Sequence, residues 1–225
     1  MKPLLGVLGG MGTQATARFY EMLHNMQDIS AEQEYLDVLV YSKPTIPDRT
    51  AYILGKSDKS PLSDLLYAAK TLENAGATCL VITCLTSHFF YEDLAKAIKI
   101  PILNMPEETA RFIADSGIKK VGLLATDGAL KGRVFHTTFE KSGIEMLLPP
   151  ESSQSELMEI IYSVKCAQAV APDALDAIAA QLRKNGARAV ILGCTELSLI
   201  AKKPPDHIDV LEVLAKACLR SCKTL

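Results

Sequence analysis

Short apolar runs alternate with amphipathic stretches along almost the whole of this 225-residue chain. An apolar run bounded by turn residues reads as a strand buried on both faces, and such strands belong to parallel sheets with helical connections. The expected class is therefore α/β. Strands are expected over residues 4–8, 36–41, 78–83, 102–103, 121–125, 144–148 and 189–192. Helices are expected over 13–26, 91–98, 107–114, 151–166, 172–185 and 210–221. A further helix begins at Pro61, where proline suits a first turn, and repeats Leu65, Leu66, Ala69, Leu72 and Ala75 at helical spacing. Residues 42–60, holding Pro44, Pro47 and Gly55, read as a long loop, and Gly128 reads as a turn residue.

The pattern runs twice. Gly76-Ala77, an apolar run and Cys84 match Gly186-Ala187, an apolar run and Cys194, at an offset of 110 residues. Gly6, Leu8, Gly12 and Phe19 match Gly122, Leu124, Gly128 and Phe135 at an offset of 116. Two unrelated helix–glycine–strand units could produce either match alone. Two concordant offsets favour a duplicated α/β half.

Charge and motif content exclude several functions. The 24 Lys and Arg against 26 Asp and Glu leave a net charge of −2 with no basic run, unlike a phosphate-tracking nucleic-acid binder. No window approaches the roughly 20 apolar residues of a membrane span. Lys2 and the apolar stretch after it fit a strand and glycine turn better than a signal sequence. Six cysteines in a chain of this length read as free thiols in a reducing cytoplasm. There is no CxxC or HxxxH, and the four histidines are scattered, so no metal site is expected. Residues 6–12 lack the G-x-G-x-x-G pattern, and no Walker lysine occurs, so the glycines are expected to let backbone approach a cleft rather than hold a nucleotide.

Each repeated cysteine stands just beyond the carboxyl end of a buried strand, where ligands bind in open α/β sheets. The residues after them read as turns into helices, whose orphan N–H groups could lower a thiol's pKa. Burial as an inert hydrophobe accounts for Cys79, Cys166, Cys218 and Cys222. It accounts poorly for a cysteine ending the same element in both halves.

GVLGGMG at residues 6–12, SKPTIPDRT at 42–50, TCLTSHF at 83–89, IYSVK at 161–165 and LGCTEL at 192–197 complete the pattern. As a set they resemble the aspartate/glutamate racemase superfamily, most closely its cofactor-independent aspartate racemases. The resemblance implies two similar α/β domains, residues 1–103 with 208–225 and residues 104–207, with the active site in the cleft between them. It also implies a small amino-acid substrate, no cofactor or metal, a cytoplasmic enzyme and a homodimer. One cysteine as thiolate removes the α-proton and the other, as thiol, protonates the opposite face, so Cys84 and Cys194 are the implied catalytic pair. Such a pair titrates as one unit, and donors around the substrate carboxylate must stabilise the carbanion.

Among the implied substrate contacts, Thr86 and Thr195 hold the α-carboxylate and amino group. Arg49 and Lys165 receive a side-chain carboxylate, and Met11 belongs to the glycine loop beside it. An arginine can bind a carboxylate with two parallel hydrogen bonds. The alternative for either cation is a solvated surface charge. Glu196 binds the substrate ammonium, tunes Cys194, or caps a helix start. His88 either assists Cys84 or supports it structurally. Three positions depart from the superfamily pattern: Leu85 replaces an asparagine, Ser87 an alanine and Thr13 a proline. Leu85 removes an amide expected to contact substrate, so Leu85→Asn is expected to raise turnover of aspartate. Maleate isomerisation, broad-specificity racemisation and a non-catalytic amino-acid-binding relative are the competing readings.

Overall fold

The computed structural model describes residues 3–171, 173–202 and 204–222. In chain order the elements of the first half are β1 (Leu4–Gly9), α1 (Thr13–Asn25), β2 (Asp37–Ser42), α2 (Arg49–Ile53), α3 (Leu62–Asn74), β3 (Cys79–Ile82) and α4 (Tyr91–Ala97). Next come α5 (Met105–Asp115), β4 (Lys120–Leu124), α6 (Asp127–Lys131), α7 (His136–Ser142), β5 (Glu145–Leu147) and α8 (Glu151–Lys165). The chain continues through α9 (Asp176–Lys184), β6 (Ala189–Leu192), β7 (His207–Asp209) and α10 (Val210–Cys222). Two all-parallel sheets result, in the orders β2-β1-β3 and β5-β4-β6-β7. A single parallel bridge between Leu80 and Ile102 extends the first sheet where β7 extends the second.

The duplication is visible in the register. Gly6 lies opposite Leu80 and Gly122 opposite Val190, the same pair displaced by 116 and 110 residues. Packing repeats too. A Cβ at Gly6 would meet the Leu72 Cβ at 3.4 Å, and one at Gly122 would meet the Leu182 Cβ at 2.8 Å. Leu72 and Leu182 are themselves 110 apart, so α3 and α9 press the same helix face onto the same strand position.

Strands β1, β3, β4 and β6 are buried on both faces, while the edge strands β2 and β5 are partly exposed. Leu5 and Val7 of β1, Val121 and Leu123 of β4, and Ala189 and Ile191 of β6 share one central core with Phe19, Ile113, Phe139 and Leu214 of the surrounding helices. The alternate residues face outward. Leu80 and Ile82 pack under Leu65, Leu72 and Leu94, while Val190 and Leu192 pack under Leu157, Ile161 and Leu182. This two-sided burial is why the strands are continuous apolar runs.

Two local expectations are corrected, and two features were not expected. The 42–60 loop contains α2, begun by Asp48, whose carboxylate accepts the Ala51 N–H at 2.8 Å. Gly128 lies inside α6, because the close approach of Thr50 leaves room only for hydrogen there. The helix equivalent to α1 is broken in the second half into α6 and α7, with Arg133 between them at φ 54° and Phe89 packed against Gly132. Strand β7 was not expected, since three residues carry too short a pattern to register. The predicted start of the 172–185 helix, Pro172, lies outside the described residues, and α9 begins at Asp176.

Candidate active site

Cys84 and Cys194 each stand two residues beyond the carboxyl end of a central strand and open a 3-10 helix, Leu85–Phe90 and Thr195–Leu199. Each of these helices leans on the other half of the molecule: the first packs against α6 and the second against α1. Thr86 Oγ1 therefore meets Thr126 Oγ1 at 2.9 Å, at the N-cap of α6. Across the cleft, the Glu196 carboxylate reaches Gly12, where a Cβ would stand only 3.0 Å from Oε1. The glycine loop is fixed from beneath. Thr16 Oγ1 accepts the Gly10 N–H at 2.9 Å and pairs with Thr83 Oγ1 at 3.0 Å, directly before Cys84. Gly10 has φ +90°, and a side chain there would collide with the Lys43 backbone.

A cavity of about 550 Å³ opens at this point, walled in part by Met11, Gly12, Asp48, Arg49, Lys165 and Glu196. Four of the eight expected site residues thus face one cavity. Cys84, Thr86, Cys194 and Thr195 do not line it and are buried, at 4%, 6%, 5% and 2% exposure. Lys165 links the two groups of residues. Burial pulls its pKa down, but the Glu196 carboxylate and the Cys194 and Cys84 thiols outweigh that and hold it above the ordinary lysine value.

Arg49 is buried and does not present a free fork to the cavity. Nη1 donates to the carbonyl oxygens of Ile46 and Pro47 at 3.2 and 2.9 Å, and Nη2 donates to that of Met11 at 3.4 Å. Nε is buried with no partner. Lys165 Nζ lies 3.6 Å from Glu196 Oε1, an ion pair too long to be a hydrogen bond, so Oε1 too is buried without a hydrogen-bond donor. Unpaired charge-bearing groups in a closed site are costly unless a ligand completes them.

Glu196 spends its other oxygen on the thiol side. Oε2 accepts from Cys194 Sγ at 2.9 Å and from Thr195 Oγ1 at 3.4 Å. No side chain caps the 3-10 helix, so of the three roles open to Glu196 the cap is not used. Burial first, then the Glu196 charge, pushes the Cys194 pKa well up, against the opposing pull of Lys165 and the Glu196 backbone N–H. The expectation that a helix start lowers this thiol is therefore reversed, because burial and, second to it, the carboxylate beside it outweigh the helix start.

His88 is a support for Cys84. Its Nε2 accepts the Met105 N–H at 3.2 Å and Nδ1 lies 3.1 Å from the Cys84 carbonyl oxygen, to which it donates as the neutral ring. Burial lowers its pKa to about 4. Leu85 is 2% exposed and joins the central core with Met105 and Ala129. Among the remaining cysteines, Cys79 and Cys218 are buried, whereas Cys166 is exposed and Cys222 half-buried, so burial does not account for those two.

Sequence reasoning passed over Asp48, Tyr162 and Thr126. Tyr162 donates from α8 to Asp48 Oδ2 at 3.1 Å, tying the helix that bears Lys165 to the cap of the helix that bears Arg49. Both lie inside the SKPTIPDRT and IYSVK segments, each directly beside or near a residue that was singled out. Among the described residues there is no cluster of three or more potential metal ligands, and no helix long and apolar enough to cross a membrane.

The aspartate racemase of Picrophilus torridus superposes with a TM-score of 0.88 at 28% identity, covering 98% of this chain and 94% of that one. The broad specificity amino-acid racemase RacX of Bacillus subtilis (strain 168) is 24% identical over 221 residues, 96% of this chain and 94% of its own length. A glutamate racemase of Francisella tularensis subsp. tularensis SCHU S4, solved in complex with D-glutamate, shares the fold alone, at a TM-score of 0.71 and 16% identity over 99% of this chain and 81% of that one. Residues 8–218, which include Met11, Arg49, Cys84, Lys165, Cys194 and Glu196, match the family described as Asp/Glu/Hydantoin racemase, and the chain belongs to that family.

Proposed function

We propose that this protein is a cofactor-independent amino-acid racemase that interconverts L- and D-aspartate with Cys84 and Cys194 as its two acid–base groups. The observation that carries the reading is the duplicated placement of the two thiols. Each follows the same strand position of a repeated half, and both sit within the electrostatic reach of Lys165. Inversion needs a base on one face of the α-carbon and an acid on the other, and two repeated halves facing each other supply both. Burial and the Glu196 charge favour the thiol form of Cys194, so in one direction it delivers the proton. In the opposite direction the roles exchange. Hydroxyls of Thr86 and Thr195 and the N–H groups opening the two 3-10 helices are the donors for the carboxylate of the carbanion.

An acidic substrate is supported by the buried, unpartnered Arg49 Nε and by Lys165 held charged at the cavity wall. The Picrophilus torridus relative, an aspartate racemase, points the same way. A broad-specificity racemase is the second reading, favoured by the RacX relative. The proposal includes a homodimer in the cytoplasm, and a division into residues 1–103 with 208–225 and residues 104–207 about the cleft. Light scattering at about twice 24.4 kDa would support the dimer.

Proton NMR in D2O tests the reaction. Both L- and D-aspartate should lose the α-proton signal, and Cys84→Ala and Cys194→Ala should each abolish racemisation. Racemisation near the wild-type rate in either variant overturns the two-thiol mechanism. Faster exchange with an uncharged amino acid than with aspartate favours the broad-specificity reading.

A further inference from the structure

At the opposite end of β3 from Cys84 lies a second pair of thiols. Cys79 opens that strand and Cys222 closes α10, and their sulfurs are 3.7 Å apart although 143 residues separate them in sequence. Cys79 is 1% exposed, whereas Cys222 is half-buried and lines an apolar cavity of about 300 Å³ with Met26, Ile29, Leu36 and Leu219. The two sulfurs therefore differ in access: a small oxidant entering the cavity meets Cys222 and not Cys79.

We propose that Cys79 and Cys222 form a redox-active dithiol that a peroxide converts into an intrachain disulfide, tying the first residue of β3 to the last turn of α10. The step divides by access. The Cys222 thiolate attacks the peroxide O–O bond, an S–O bond forms, and hydroxide leaves to give the sulfenic acid. The Cys79 sulfur then attacks the Cys222 sulfur. The S–S bond forms, the S–O bond breaks, and the departing hydroxide takes the Cys79 thiol proton as water. In all, two thiols give two protons and two electrons to one peroxide, which ends as two waters.

The thiol–thiol contact supports the assignment of roles. Either sulfur can donate in this contact; with Cys79 as donor, the hydrogen bond lowers the Cys222 pKa against the effect of burial. The same hydrogen bond and burial raise that of Cys79. Thiolate character thus collects on the accessible sulfur, as an oxidisable thiol requires. Bond formation needs an S–S distance of about 2.05 Å, so the sulfurs must close by roughly 1.6 Å. Cys222 sits in the final described turn of its helix, where few further turns resist such a movement. Cys194, by contrast, is held as a thiol under the Glu196 carboxylate, so the active-site sulfur is the poorer peroxide target.

The test treats the full chain with a few equivalents of hydrogen peroxide, traps remaining thiols with N-ethylmaleimide, and maps the digest by mass spectrometry. A peptide bearing Cys79 linked to one bearing Cys222, two hydrogens lighter and released by dithiothreitol, is expected. Because the link closes a very long loop, Tm should rise by about 5–15 °C. Cys222→Ser, a change at the half-buried position, should leave Cys79 fully reactive to the trap after denaturation. Cys79→Ser should drive Cys222 on to the sulfinic acid. The proposal is overturned if the first disulfide is Cys84–Cys194 or Cys218–Cys222, if it joins two chains, or if Cys222 is over-oxidised in the wild type with Cys79 untouched.

Discussion

Acidification should destabilise this protein through His88 before most carboxylates titrate. In the folded chain the ring accepts one backbone N–H and donates to one backbone carbonyl, so both nitrogens are in use. A second ring proton would point at the Met105 N–H. Its pKa is about 4 folded against 6.5 for an unperturbed histidine. Between those values the unfolded chain binds the extra proton, so stability is complete above about pH 6.5 and falls as the pH drops toward 4. Integrating the two titrations gives a loss of about 2 kcal/mol by pH 5 and about 3 kcal/mol by pH 4. At roughly 2–4 °C per kcal/mol for a chain of this size, Tm should fall by about 4–8 °C between pH 7.5 and pH 5. The measurement is urea unfolding of wild type and His88→Gln at pH 7.5, 6, 5 and 4. Glutamine can keep one donor and one acceptor but cannot titrate, so its stability should be flatter with pH even if lower throughout. Identical pH slopes in the two proteins would refute the reasoning and move the acid sensitivity elsewhere.

Arg49→Ala should lower kcat/KM for aspartate by roughly ten- to a hundred-fold, from the loss of a charge-assisted contact, and affect alanine much less; equal losses mean that Arg49 acts only by holding the Ile46, Pro47 and Met11 carbonyls. Glu196→Gln removes the charge that raises the Cys194 pKa, so the basic limb of the kcat/KM profile should move to lower pH, and an unchanged profile removes Glu196 from the proton path. Leu85→Asn puts an amide into the central core beside Met105 and Ala129 and should cost about 3–5 kcal/mol in urea unfolding. A variant that instead turns over aspartate faster at unchanged stability would show that the Leu85 position faces substrate.

The positions of most strands were legible because two-sided burial leaves a continuous apolar run, a local property that a window of five or six residues carries. The duplication was legible because Gly6 and Gly122 must stay small where Leu72 and Leu182 cross them, so steric need left the same mark twice. The two cysteines stood out because each ended such a marked unit. What the residues alone did not carry is every contact between the halves. Arg49 and Lys165 lie 116 positions apart in a short helix and a long one, and only the fold sets them at one cavity. The direction of the Cys194 shift was equally hidden. A helix start argues for a lowered pKa, and burial with an adjacent carboxylate for a raised one; burial counts first and the turn of the Glu196 side chain second. It turned toward the sulfur, 2.9 Å away, because its cap position is unused and Gly12 of the other half leaves room for its second oxygen. Local pattern determines elements, since strand and helix periods act over a few residues. The electrostatics of a cleft are decided by tertiary structure, since they depend on distances between groups that the chain brings together only when both halves have folded.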